Sequence, residues 1–164
     1  MHETPEDIAR LQQTIDASYA SAGPHMLRIH EPGRRLTAEQ LCERLQGMCL
    51  LTLATVTKDG RPITGPVDGI FYRGAFHFSS APDSTRFRHI RARPQVSATH
   101  LPGEHLAVSV HGAATVVKPE GGLRETILGI YVPQHGPEWE TNILDGASCA
   151  RIDAHKLFVF HMDD

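Results

Sequence analysis

The apolar residues of this 164-residue chain change period once, just past Gly47, from helical spacing to strand alternation. That switch limits the chain to helices followed by a β fold. Before it, Ile8, Leu11, Ile15 and Tyr19 form one stripe of a helix opened by Thr4-Pro5-Glu6-Asp7: a capping threonine, a proline in the first turn, and acids at the positive helix end. Ser21-Ala22-Gly23-Pro24 stops this helix, residues 26–30 read as a short extended piece, and Glu31-Pro32-Gly33 as a turn. Thr37-Ala38-Glu39-Gln40 fits a capping box, with Leu41, Leu45 and Met48 as the buried face of a second helix.

Past the switch, residues 50–56 end in Lys58-Asp59-Gly60-Arg61, a hairpin turn because Gly60 adopts positive φ at no steric cost. Strands at 62–72 and 75–80 follow, joined by Arg73-Gly74, then a short helix at 84–91 with Phe87 and Ile90 inward. Strands at 95–100 and 106–117 flank Pro102-Gly103; a helix at 123–131 and a closing strand at 152–161 complete the chain. Six strands in hairpin order predict a mainly β fold: a six-stranded antiparallel barrel with N-terminal helices and short peripheral helices. The expected division is a helical extension, 1–45, packed on a barrel domain, 46–164. Pro66 and Gly69 interrupt their strand, which predicts an edge, a bulge or a close backbone approach to a ligand.

Sixteen basic against 19 acidic side chains leave a net charge of −3, so no overall field attracts nucleic acid or an anionic membrane. An anion must be gripped locally. Cys42, Cys49 and Cys149 form neither a disulfide framework nor a zinc motif, and His77, His100, His105 and His111 lack metal-ligand spacing, so no metal is expected. His111, beside Gly112, reads as packing. The polar first ten residues carry no signal peptide, and no apolar run reaches the roughly 20 residues of a membrane span. The expected location is the cytoplasm. Hydrolase, nucleoside triphosphate and dinucleotide fingerprints are missing.

The segment that carries chemistry runs from Phe78 to Pro94. A strand ends in Ser79-Ser80, the chain turns at Ala81-Pro82-Asp83, and a helix begins with Ser84-Thr85-Arg86. N–H groups of a first helical turn, hydroxyl donors and a guanidinium fork all suit a phosphate. Arg91 and Arg93, spread around the helix, read as solvated or ion-paired.

Taken in order, Leu53-Ala54-Thr55-Val56, Asp59-Gly60-Arg61-Pro62, Pro66-Val67, Phe76-His77-Phe78-Ser79-Ser80, Thr85-Arg86, Arg93-Pro94-Gln95-Val96-Ser97 and His111-Gly112-Ala113-Ala114 resemble the pyridoxamine 5′-phosphate oxidase-like split-barrel family. The likeness covers residues 45–118. It implies an oxidoreductase that binds FMN or a deazaflavin (coenzyme F-420). Arg86, Ser79, Ser80, Ser84 and Thr85 would meet the cofactor phosphate. Arg61 and Pro62 would begin the strand whose backbone at Thr64, Gly65, Pro66 and Val67 lies along the ring. The resemblance also implies a homodimer with its cofactors at the interface, where Tyr131 or Trp139 would complete the partner's site. The C-terminal Arg-x-Trp-like motif of true vitamin B6 oxidases is missing, so the expected substrate is another small molecule. No side chain declares itself an obligate acid or base. The alternative of another class is a non-catalytic binder or store of flavin or haem.

Overall fold

The computed structural model describes residues 1–162, with all their side chains except those at 142 and 143. The last two positions of the expected barrel domain, 163 and 164, lie outside the described residues. Six strands, β1 (Met48–Val56), β2 (Pro62–Tyr72), β3 (Ala75–Ser80), β4 (Gln95–Gly103), β5 (Leu106–Val117) and β6 (Ser148–His161), close into an antiparallel barrel in the order β1-β2-β3-β6-β5-β4, with β4 returning to β1. The alternation places Leu51, Leu53, Phe76, Phe78, Val108 and Val110 inside it. The β2–β3 turn takes positive φ at both Arg73 (51°) and Gly74 (79°), the backbone whose twist suits a two-residue hairpin.

One strand is too short for its neighbours. β3 has six residues, against 11 in β2 and 14 in β6. It pairs with β2 only through Gly69–Tyr72 and with β6 only through residues 148–151. The rest of β2 and the far half of β6 therefore have a β partner on one side only. Bare strand edges must be covered or used.

The β6 edge is covered by α1 (Pro5–Ala20). The main-chain N–H of Leu157 donates to Ser18 Oγ at 2.9 Å, and that of Val159 to the Tyr19 hydroxyl at 3.1 Å. That hydroxyl in turn donates to the Val159 carbonyl at 2.6 Å. Leu11, Ile15 and Tyr19 join the barrel's own core cluster, each buried apolar side chain contributing about 1.5–3 kcal/mol. The helix start is pinned as well. Thr4 and Asp7 cap reciprocally, and the buried Asp7 also receives Arg10 and, at 2.9 Å, Arg73 of the β2–β3 turn. Burial alone would raise the Asp7 pKa, but hydrogen bonds from Thr4 and Arg73 outweigh it and hold the carboxyl below its usual value. Further along the chain, α3 (Ala38–Arg44) has its expected capping box at Thr37 and Gln40.

Several boundaries differ from the sequence reading, and Met48, expected on the face of the second helix, instead opens β1. Residues 26–30 are not extended: Pro24–Ile29 is a helical turn and a half, α2. A proline after Gly23 ends α1, but in the first turn of a helix it sacrifices no hydrogen bond and presets φ, so Pro24 also starts the next one. The helix expected at 123–131 runs as α5 (Gly121–His135), carried past Pro133 by packing against the barrel. Finally, β4 continues to Gly103 through a register shift, and β6 begins at Ser148.

Candidate functional site at the parting of two strands

The β2 edge is treated differently. Where β3 leaves β2, the chain turns into α4 (Thr85–Ala92), anchored in the core by Phe87 and Ile90. Arg86 then reaches back across the gap and donates to the Pro66 carbonyl at 2.9 Å. In an antiparallel strand a residue's N–H and C=O point to the same side. The main-chain groups of Thr64 and Asp68 therefore share the open side with Pro66, and those of Gly65 and Val67 serve the ladder with Leu53 and Leu51 of β1. The N–H that Pro66 lacks is missing on the side where no strand needs it. A Cβ on Gly65 would lie 3.5 Å from the Arg86 guanidinium.

The phosphate-type donors stand on the opposite bank. Ser79 and Ser80 close β3, opposite Cys149 and Ser148. Ser84 caps α4, its Oγ accepting from the Phe87 N–H at 3.4 Å, so the N–H groups of Thr85 and Arg86 open the helix with no intrahelical partner. The Thr85 hydroxyl accepts from Arg88 at 2.9 Å. Gly65, Pro66, Val67, Ser79, Ser80, Ser84, Thr85 and Arg86 thus flank one parting of strands. Arg61 and Pro62 lie at the exposed hairpin end, where Arg61 pairs with Asp59 at 2.7 Å. Thr64 stands between, on the open edge. Arg91, expected to be solvated or ion-paired, instead ties the loop together by donating to the Pro82 carbonyl at 2.6 Å and Ser148 Oγ at 3.3 Å. Arg93 donates to the Val56 carbonyl at 3.0 Å.

From the serines a cleft of about 310 Å³ opens between the barrel wall and α5, with Asp68, Ile70, His77, Ile127, Tyr131 and Trp139 in its lining. Tyr131 and Trp139 lie face to face, centroids 4.7 Å apart and planes within 3°. These rings line their own chain's cleft. Burial, with Asp68 adding to it, raises the Tyr131 pKa, so the phenol stays protonated. Burial lowers His77 to about 4. Its Nδ1–H donates to the Ala75 carbonyl at 3.1 Å, which leaves Nε2 as an acceptor. Cys149 is also in the lining, and burial raises its pKa, so it remains a thiol. Gly69 makes the crossing possible: a Cβ there would come within 2.9 Å of the His77 carbonyl and of Leu51. Sequence reasoning flagged Gly69 but missed Asp68, His77 and Cys149, whose proximity depends on where β3 parts from β2.

His100 and His111 have local partners. His100 Nδ1 donates to the Leu50 carbonyl at 2.9 Å, and His111 shares a hydrogen bond with Ser97 at 2.8 Å. Among the described residues, no group of three or more His, Cys, Asp or Glu side chains is arranged to hold a metal.

Solved structures share this architecture. A conserved hypothetical protein from Mycobacterium tuberculosis superposes with a TM-score of 0.67 at 18% identity, over 80% of this chain and 88% of that one. A protein described as FAD-binding from Mesorhizobium loti gives 0.56 at 22%, over 79% and 98%. An F-420 reductase gives 0.56 at 20%, over 70% and 93%. At these identities the likeness is one of fold. Comparison with curated proteins finds no match. The family model described as pyridoxamine 5′-phosphate oxidase matches residues 37–157, from the cap of α3 to β6. The chain belongs to the pyridoxamine 5′-phosphate oxidase family.

Proposed function

We propose that this chain is an oxidoreductase that works through a bound flavin, FMN in the first place. The observation that carries the reading is the unpaired edge of β2 faced by the Arg86 guanidinium and the start of α4. The donor set suits a phosphate monoester. The Ser80 hydroxyl has no protein partner among the described residues, and one of Arg86's five donor positions suffices for Pro66. Ser79, Ser80, Ser84, Thr85 and Arg86 would hold the phosphate, and the main chain at Thr64 and Asp68 would line the ring's edge. When bound, such a cofactor supplies the hydride or electron transfer itself. The protein's part is to anchor, orient and exclude water.

The visible spectrum of the protein reconstituted with FMN tests this. Retained bands at about 370 and about 450 nm after gel filtration are expected; complete loss of the flavin would end the reading. A deazaflavin is the second reading, favoured by the fold shared with an F-420 reductase, and its single band at about 420 nm separates the two. The missing Arg-x-Trp-like ending argues against vitamin B6 as substrate. A cytoplasmic homodimer belongs to the same proposal. Its support is the outward face of β1 and β4, where Leu50, Thr52, Ala54, Ser97, Thr99 and Leu101 carry no charge and Leu50 and Leu101 are 55% and 63% exposed.

A further inference from the structure

The cleft beside α5 has a chemical character that the phosphate-facing bank does not share. Its side-chain lining contains one charged group, the Asp68 carboxylate, and no lysine or arginine. Asp68 is exposed, and it forms no ion pair among the described residues. The other polar groups there include the His77 ring, with Nε2 an acceptor, and the Tyr131 hydroxyl, held only by a long 3.5 Å contact with the Gly69 carbonyl. Tyr131 and Trp139 give the cleft a flat, polarisable wall. At about 310 Å³ it lies at the lower end of small-molecule sites, about 300–1,000 Å³.

We propose that this cleft is the substrate subsite and that it selects planar, neutral or cationic molecules with hydrogen-bond donors while rejecting anions. Asp68 sets the charge preference, and the Tyr131–Trp139 pair supplies the stacking surface. Neighbouring groups strengthen the preference. His77 is held neutral well below pH 7 by burial, so it brings no positive charge to offset the carboxylate. A phosphate held by Ser79, Ser80 and Arg86 would make the potential at the serine end more negative still. The cleft is thus ill-suited to a phosphorylated substrate, although the adjoining bank suits a phosphorylated cofactor. Only the word substrate rests on the flavin reading; the charge preference belongs to the cleft itself.

Trp139 is the single tryptophan of the chain, so its fluorescence reports on this cleft alone. The test titrates the full-length protein with three ligands built on one ring: 1-methylnicotinamide (cation), nicotinamide (neutral) and nicotinate (anion). Saturable quenching is expected, with affinity falling in that order and the cation ahead of the anion by about tenfold or more. Asp68→Asn should bring the two within about threefold of each other, and Asp68→Glu should preserve the order. Equal affinity for cation and anion, unsaturable quenching by all three, or an unchanged ratio in Asp68→Asn would each overturn the proposal. Prior saturation with FMN separates it from the flavin reading. If FMN abolishes quenching by 1-methylnicotinamide, the cleft holds the cofactor's ring and the substrate subsite is refuted, while flavin binding stands. If FMN does not bind but the charge order holds, the flavin reading falls and the cleft keeps its selectivity.

Discussion

Arg86 joins the two banks of the site, and its removal tests them together. Arg86→Ala is expected to weaken FMN binding by one to two orders of magnitude, the loss of a charge-assisted contact of about 1.5–3 kcal/mol. Flavin fluorescence titration measures it, and an undiminished affinity would take Arg86 out of the site. The fold should survive, since the side chain is partly exposed and makes its one protein hydrogen bond to Pro66. His77 makes a prediction in pH. Its folded pKa, about 4, lies below the ordinary 6.5, so between those values the unfolded chain takes up a proton that the folded chain refuses. Stability is therefore full above pH 6.5 and falls toward pH 4, by an amount on the order of 3 kcal/mol. Burial lowers His30 too, which adds in the same direction. Thermal unfolding at pH 7.5, 5.5 and 4.5 should show this decline, and His77→Gln should flatten it; parallel curves for variant and parent would refute the assignment.

At the level of elements, α1 is a cover for the β6 edge and lines no part of the cleft. Deleting residues 1–22 strips the Leu157 and Val159 N–H groups of their partners and bares a strand edge. Lowered melting temperature and concentration-dependent aggregation are expected in scanning calorimetry and light scattering, and a truncated chain that melts like the parent would contradict this. The strands were legible because alternation, Gly60 and Arg73-Gly74 all speak locally about period and turn. The bounds of β3, 75–80, were legible too, but not where it parts from β2 and joins β6, because a strand's partners are set by residues far away: Ser79 faces Cys149. The same limit governed the site. Ser79, Ser80, Ser84 and Arg86 form a local run that could be read, but the meeting of His77 with Trp139 across the cleft left no local pattern.

For the whole molecule, the uncharged face of β1 and β4 is the surface to probe. Thr52 stands opposite Thr99, and Ala54 opposite Ser97, which makes a patch without lysine or arginine. Light scattering is expected to give twice the chain mass of 18.1 kDa at micromolar concentration. Thr52→Arg, which puts a charge at the centre of the patch, should shift the protein to monomer; a parent that is already monomeric removes the dimer.

The coverage of β6 by α1 also imposes an order of assembly. The helix at residues 5–20 is made well before the strand it shields, Ser148–His161, with five other strands between them. Until β6 arrives, the Leu11, Ile15 and Tyr19 stripe has no strand edge to lie on, and the barrel cannot close between β3 and β5. Contacts between such distant parts of a chain form slowly, because the long intervening loop must close first. From the making of α1 until β6 emerges, the nascent chain therefore carries an apolar helix without the strand it lies on. A chain that stops short of β6 would leave the barrel open and the α1 stripe without its strand edge.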